Sequence, residues 1–149
     1  MFKKILYADD LSKRAVKALE VALNLARIHG AALTILNVRE DFLNKDEMVM
    51  LRVDVSDFQG KIKEKALAAR KRIQSDIEAL KGQDVKTEIL LREGKPSKEV
   101  IAVAQELDVD LIVVGSHGVT TLKDKVFGTT AEAVVHQASR NVLSVWTRE

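Results

Sequence analysis

The sequence predicts an α/β fold, a doubly wound parallel sheet of five strands with helices on both faces. Three observations carry that prediction. Five short apolar runs alternate with amphipathic helical stretches along the whole chain, the order that gives parallel strands joined by crossover helices. Some of these runs are apolar almost without interruption, above all Leu111-Ile112-Val113-Val114, as strands covered on both faces must be. The 149 residues are 46% hydrophobic and 31% charged, a globular balance at a length that suits one domain, residues 1–149. No internal repeat, low-complexity tract or Pro/Gly/Ser linker divides the chain.

Ile5 to Ala8 reads as the first strand, stopping at Asp9-Asp10. Ser12 offers a hydroxyl to cap a helix over Lys13 to Ile28. Lys13, Lys17, Glu20, Asn24 and Arg27 form its solvated face, with Val16, Leu19, Leu23 and Ala26 opposite. Gly30 supplies a left-handed stop. Ala32 to Val38 is the second strand. Arg39 to Gln59 has no clear pattern, although Met48-Val49-Met50-Leu51 suggests a short packed helix. From Lys61 to Leu80 the period is helical again, with Ile62, Ala66, Ala69, Ile73, Ile77 and Leu80 on one face. Val85 to Leu91 is the third strand. Pro96 suits the first position of a helix reaching about Leu107. Leu111 to Val114, the most apolar strand, belongs in the middle of the sheet. A loop from Gly115 to Gly128 leads to a helix over Ala131 to Ala138, whose inner face would be Ala131, Val134, Val135 and Ala138. Val142 to Trp146 is the fifth strand, with Trp146 packed at the sheet or at a contact between copies.

Composition narrows the function. Lys plus Arg is 24 and Asp plus Glu is 22, a formal charge of +2. A specific nucleic-acid binder usually concentrates basic charge. The basic stretch from Lys61 to Arg72 reads as a solvated helix face, with no aromatic residue interleaved for base stacking. The chain has no cysteine, which excludes a disulfide framework, a thiolate metal site and cysteine catalysis. His29, His117 and His136 lack metal-ligand spacing. No apolar run approaches the ~18–20 residues of a membrane span, and Ile5 to Ala8 is too short for a signal peptide. The expected address is cytoplasmic, away from membranes.

In an open doubly wound sheet, ligands sit outside the carboxyl ends of the strands. The richest such segment follows the fourth strand. Gly115-Ser116-His117-Gly118 is followed by nine residues and then by Gly128-Thr129-Thr130 at the opening of a helix. Glycines let backbone N–H groups approach an anion, and a helix N-terminus favours phosphate. Two amide clusters separated by a loop suit a chain of phosphates. On composition alone the alternative is equally good: the glycines make turns and Thr129 caps the helix. Gly94-Lys95-Pro96-Ser97 lacks the earlier glycine of a Walker loop, and Ser116-His117 is not a nucleophile elbow.

Gly115-x2-Gly118-x9-Gly128-Thr129 matches the G-2x-G-9x-G-[S/T] signature of the universal stress protein family. Val109 to Gly118 resembles that family's VDLIVVGSHG, and Ile5 to Ser12 is similar to its opening ILYATDFS. The resemblance implies a Rossmann-like sheet of order 3-2-1-4-5 and membership of the ATP-binding branch. It implies that Asp10, rather than its neighbour Asp9, reaches the adenine or ribose side. Backbone groups at Val38 would hold adenine, and Val114 and Gly115 would line the ribose-phosphate side. Gly118, Gly128, Thr129 and Thr130 would hold phosphates. ATP, ADP and AMP all fit this pattern, with Mg²⁺ or Mn²⁺ held through the phosphates and water. The family's dimer edge implies a homodimer through the last strand. Asn141, Ser144 and Trp146 depart from the usual aliphatic ending there. The implied function is a nucleotide-dependent switch or sensor in stress response, with at most slow ATP hydrolysis. The alternatives are a slow ATP hydrolase or other nucleotide-handling enzyme of the same fold and a nucleotide-free dimeric interaction module.

Overall fold

The computed structural model describes residues 1–40, 55–116 and 130–147. Along the chain run β1 (Lys4–Ala8), α1 (Ala15–His29), β2 (Ala32–Arg39), α2 (Val55–Ala79), β3 (Thr87–Glu93), α3 (Pro96–Glu106), β4 (Leu111–Ser116), α4 (Thr130–Gln137) and β5 (Asn141–Trp146). All strand pairs are parallel, in the order β3-β2-β1-β4-β5. The expected fold class and strand order are both observed. β4 is an interior strand as its composition demands, but the middle place goes to β1.

Strand alternation divides the sheet into two cores. Ile5 and Tyr7 of β1, Leu33 and Ile35 of β2 and Leu111 and Val113 of β4 face α1 and α2. Leu19 and Leu23 from α1 and Ile73 and Ile77 from α2 fill that side. Leu6, Leu36, Ile112 and Val114 face the other way, against Val100 and Val103 of α3 and Ala131 and Val134 of α4. Each fully buried large apolar side chain contributes roughly 1.5–3 kcal/mol of transfer free energy, so both faces hold the sheet. Several local signals act as read: Gly30 takes φ 63° at the end of α1, and Pro96 occupies the first turn of α3.

Other details differ. α1 begins at Ala15, two residues later than the polar pattern suggests, because Ser12 to Arg14 form a tighter turn in which the Ala15 N–H bonds to Ser12 O at 3.1 Å, three residues back. Ser12 still receives the Ala15 N–H on its Oγ at 3.1 Å. Val135 is 50% exposed and points away from the inner face of α4; that short helix buries Ala131 and Val134 only. Trp146 is 60% exposed in the single chain and does not pack on its own sheet. The suggested helix at Met48 to Leu51 lies outside the described residues.

Two aspartates tie the opposite, amino edge of the sheet. Asp110 Oδ2 accepts from the backbone N–H groups of Lys3 at 2.7 Å and Lys4 at 2.9 Å, and these bonds hold its carboxyl below the usual range. Arg140 donates to Asp108 at 2.6 Å, where the chain turns with φ 50°. The carboxyl edge is thereby left to the loops that follow the strands.

Candidate functional site

β1 lies between β2 and β4. Leaving β1 and β2, the chain crosses by α1 and α2 over one face; leaving β3 and β4, it crosses by α3 and α4 over the other. The loops after β1 and β4 therefore part toward opposite faces and leave a crevice at the carboxyl edge. Ala8 and Val114, the last paired residues of those strands, form its floor.

The turn after β1 is closely tied. Asp9 donates its N–H to Leu36 O at 2.8 Å, extending the pairing with β2 by one step. Its Oδ1 accepts from Leu11 N at 2.7 Å, which holds Leu11 in its left-handed conformation. Asp10 Oδ1 accepts from Ser12 N at 2.9 Å. These are paired Asx turns, each carboxylate bonding two residues ahead. The two aspartates differ in setting: Asp10 is exposed, whereas Asp9 is only 4% exposed. Burial raises the Asp9 carboxyl to about 6; Asp10 and Asp76 push the same way, while the Leu11 N–H and Arg72 oppose it. Tyr7, on the same face one step earlier, donates its hydroxyl to Ala15 O at 2.7 Å. Burial pushes that phenol far above its ordinary value, so it stays neutral.

Asn37 completes this corner. It is 3% exposed and its Nδ2 donates to the Asp9 carbonyl at 2.8 Å. Val38 follows, half-buried on the other face against the α3–α4 core.

Across the crevice, Val114 is buried and Gly115 half-buried at the end of β4. A Cβ on Gly115 would meet Thr147 Cγ2 at 3.5 Å and Ala18 Cβ at 3.7 Å, ordinary contacts, so crowding does not demand glycine there. Thr147 is 2% exposed and donates both N–H and hydroxyl to Ser116 O. Thr130 opens α4, whose N-terminus lies at the carboxyl edge because the helix runs back against the strands it joins. The fold thus brings Asp10, Val38, Val114, Gly115 and Thr130 to one edge. Gly118, Gly128, Thr129 and His117 lie outside the described residues.

Three residues of this edge escape the motif reading: Asp9, Asn37 and Thr147. The strand period contained a signal for two of them. Ile5 and Tyr7 face inward, so Asp9 continues their face; Leu33 and Ile35 do the same for Asn37. Among the described residues, no group of three His, Cys, Asp or Glu side chains is placed to hold a metal ion. No described helix is long and apolar enough to cross a membrane.

The universal stress protein family profile matches residues 1–145. The chain belongs to the universal stress protein family. Its sequence is 32% identical over 149 residues to universal stress protein A homolog 1 of Coxiella burnetii, covering 99% of each chain. Among solved structures it is similar to the universal stress protein UspA from Lactobacillus plantarum, with a TM-score of 0.75 and 24% identity over 96% of this chain and 97% of that one. A universal stress protein in complex with cAMP has the same fold, with a TM-score of 0.69 and 20% identity over 98% of each chain. For this universal stress protein, the crevice between β1 and β4 lies where the family signature leaves the sheet: Gly115 stands in β4, and Thr130, next in sequence after Gly128-Thr129, opens α4.

Proposed function

We propose that this universal stress protein binds an adenine nucleotide, ATP foremost, at the carboxyl edge between β1 and β4, and works as a nucleotide-dependent switch in stress response. The intact Gly115-x2-Gly118-x9-Gly128-Thr129 signature, leaving the sheet at the switch crevice, carries the reading. The cAMP complex of a protein with this fold supports it at the level of architecture.

In this reading Asp10 reaches the adenine or ribose side, and Val38 offers backbone groups to the base. Val114 and Gly115 line the ribose and first phosphate. Gly118 and Gly128 let the backbone close on the phosphates, and Thr129 and Thr130 add hydroxyls at the positive end of α4. Mg²⁺ or Mn²⁺ would be held through the phosphates and water. The single domain spans 1–149, pairs with a second copy through β5, and acts in the cytoplasm, with binding and release rather than turnover as its output.

Mass spectrometry of small molecules released from the purified, denatured protein tests the reading, together with calorimetric titration of nucleotide-stripped protein. An adenine nucleotide in the extract and saturable ATP binding are expected. An empty extract with no binding would overturn the proposal in favour of a nucleotide-free module.

A further inference from the structure

Asn37 Oδ1 is buried and meets no hydrogen-bond donor among the described residues. Its amide has a defined orientation, because Nδ2 is committed to the Asp9 carbonyl at 2.8 Å. A buried acceptor without a donor is unfavourable, and the molecule should contain a group able to serve it.

The strand register brings one carboxyl group to the same face. Tyr7 pairs with Ile35 and Ala8 with Leu36, and the Asp9 N–H to Leu36 O bond carries the ladder one step on. In-register residues of parallel strands place their side chains side by side on one face. Asp9 and Asn37 are therefore neighbours facing α1 and α2. An ionised carboxylate only accepts, and would set oxygen against oxygen; the neutral acid has a hydrogen to give.

We propose that Asp9 and Asn37 are positioning residues that hold the adenine-side turn through a shared proton. Neutral Asp9 donates its carboxyl hydrogen to Asn37 Oδ1, while Asn37 Nδ2 keeps the Asp9 carbonyl. Loss of that proton to solvent leaves Asn37 Oδ1 facing a carboxylate. The amide then relaxes by turning its N–H groups toward the charge and releases the Asp9 carbonyl. Asp10 is the next residue, so its backbone moves with that release.

The surroundings support a proton that titrates in the working range. Asp10 from the turn and Asp76 from α2 disfavour a charge on Asp9, while Arg72 of α2 and the Leu11 N–H favour it. Tyr7 of β1, neutral throughout, adds no charge of its own. Burial is the largest influence and lifts the Asp9 carboxyl to about 6.

The inference rests on the nucleotide reading, and its test separates the two. Without nucleotide, NMR follows the Asp9 carboxyl carbon and the Asn37 side-chain amide of the labelled full chain. Both should shift with one midpoint near that of Asp9; an Asn37 amide unmoved while Asp9 titrates would overturn the shared proton. Calorimetry then compares AMP binding to wild type and Asp9→Asn, which keeps an N–H donor toward Asn37 without the charge. At about pH 5 the two should bind within about twofold, and at about pH 8 the variant should bind about tenfold tighter, since only wild type ionises. Comparing the two proteins at each pH cancels the titration of AMP itself. An affinity ratio unchanged between the two pH values would overturn the positioning role. If Asp9→Asn does not fold, Asn37→Ala serves instead: it removes the acceptor, and its AMP binding should lose the part of the pH dependence assigned to the pair. Failure of wild type to bind either AMP or ATP at either pH would overturn the nucleotide reading, and the NMR measurement would still decide the shared proton.

Discussion

Thr147 donates twice to one oxygen: its backbone N–H lies 2.9 Å and its hydroxyl 2.6 Å from the carbonyl of Ser116. Ser116 is the last residue of β4 and follows Gly115, the first glycine of the signature, so the end of β5 fixes where that segment leaves the sheet. Thr147→Val keeps the shape and the N–H but leaves the carbonyl with one donor fewer, and should cost about 1 kcal/mol of stability in denaturant unfolding. Thr147→Ser should retain most of it. A loss for Thr147→Ser with none for Thr147→Val would place the effect in methyl packing instead.

Nucleotide binding should fail before folding when the signature glycines are filled. Gly118→Val or Gly128→Val is expected to abolish ATP binding in calorimetry while circular dichroism stays that of the native protein. Asp10→Ala is expected to weaken binding by about 1–3 kcal/mol if a charged hydrogen bond to the nucleotide is lost. Asp9→Ala provides a contrast, because Asp9 is buried and Asp10 exposed. Its effect should be on stability as much as on affinity.

The buried Asp9 makes stability depend on pH with a definite sign. Its carboxyl sits at about 6 in the folded protein against 3.8 ordinarily. The folded chain therefore binds more proton than the unfolded chain between those values, and the Asp9 contribution is fully present below pH ~4 and lost as pH rises through about 6. The loss should be about 3 kcal/mol in equilibrium unfolding. Asp9→Asn should flatten that part of the profile. A wild-type profile level from pH ~4 to ~7 would contradict the burial of this carboxylate.

Assembly through β5 can be tested without breaking the sheet. β5 pairs only with β4 among the described strands. The Thr147 N–H points to Ser116, and donors alternate along a strand, so Val145 also points inward while Ser144 and Trp146 point to the open edge. Ser144→Pro removes an outward donor and should convert a dimer into a folded monomer by light scattering. Val145→Pro would damage the β4 ladder itself and should lower the melting temperature. An unmodified protein that is monomeric at micromolar concentration would refute the β5 dimer.

Much of this molecule was legible from sequence because the governing forces are local or periodic. The 3.6-residue repeat placed α1 and most of α2, from Lys61 onward, and the continuous apolar run Leu111 to Val114 placed β4 inside the sheet. Gly30 and Pro96 marked a helix end and a helix start through backbone conformations fixed by residue type. The exposure of Val135 and Trp146 was not legible. A short helix has too few turns to define its inner face, and an edge strand has a neighbour on one side only. The pairing of Asp9 with Asn37 and of Thr147 with Ser116 spans 28 and 31 positions of sequence. No motif joins such residues; the parallel register does, by setting distant strand ends side by side. Residue type therefore determined which chemistry this chain could carry at the carboxyl edge, while tertiary structure decided which aspartate was buried and which faced water, because desolvation acts on position in the fold and not on position in the sequence.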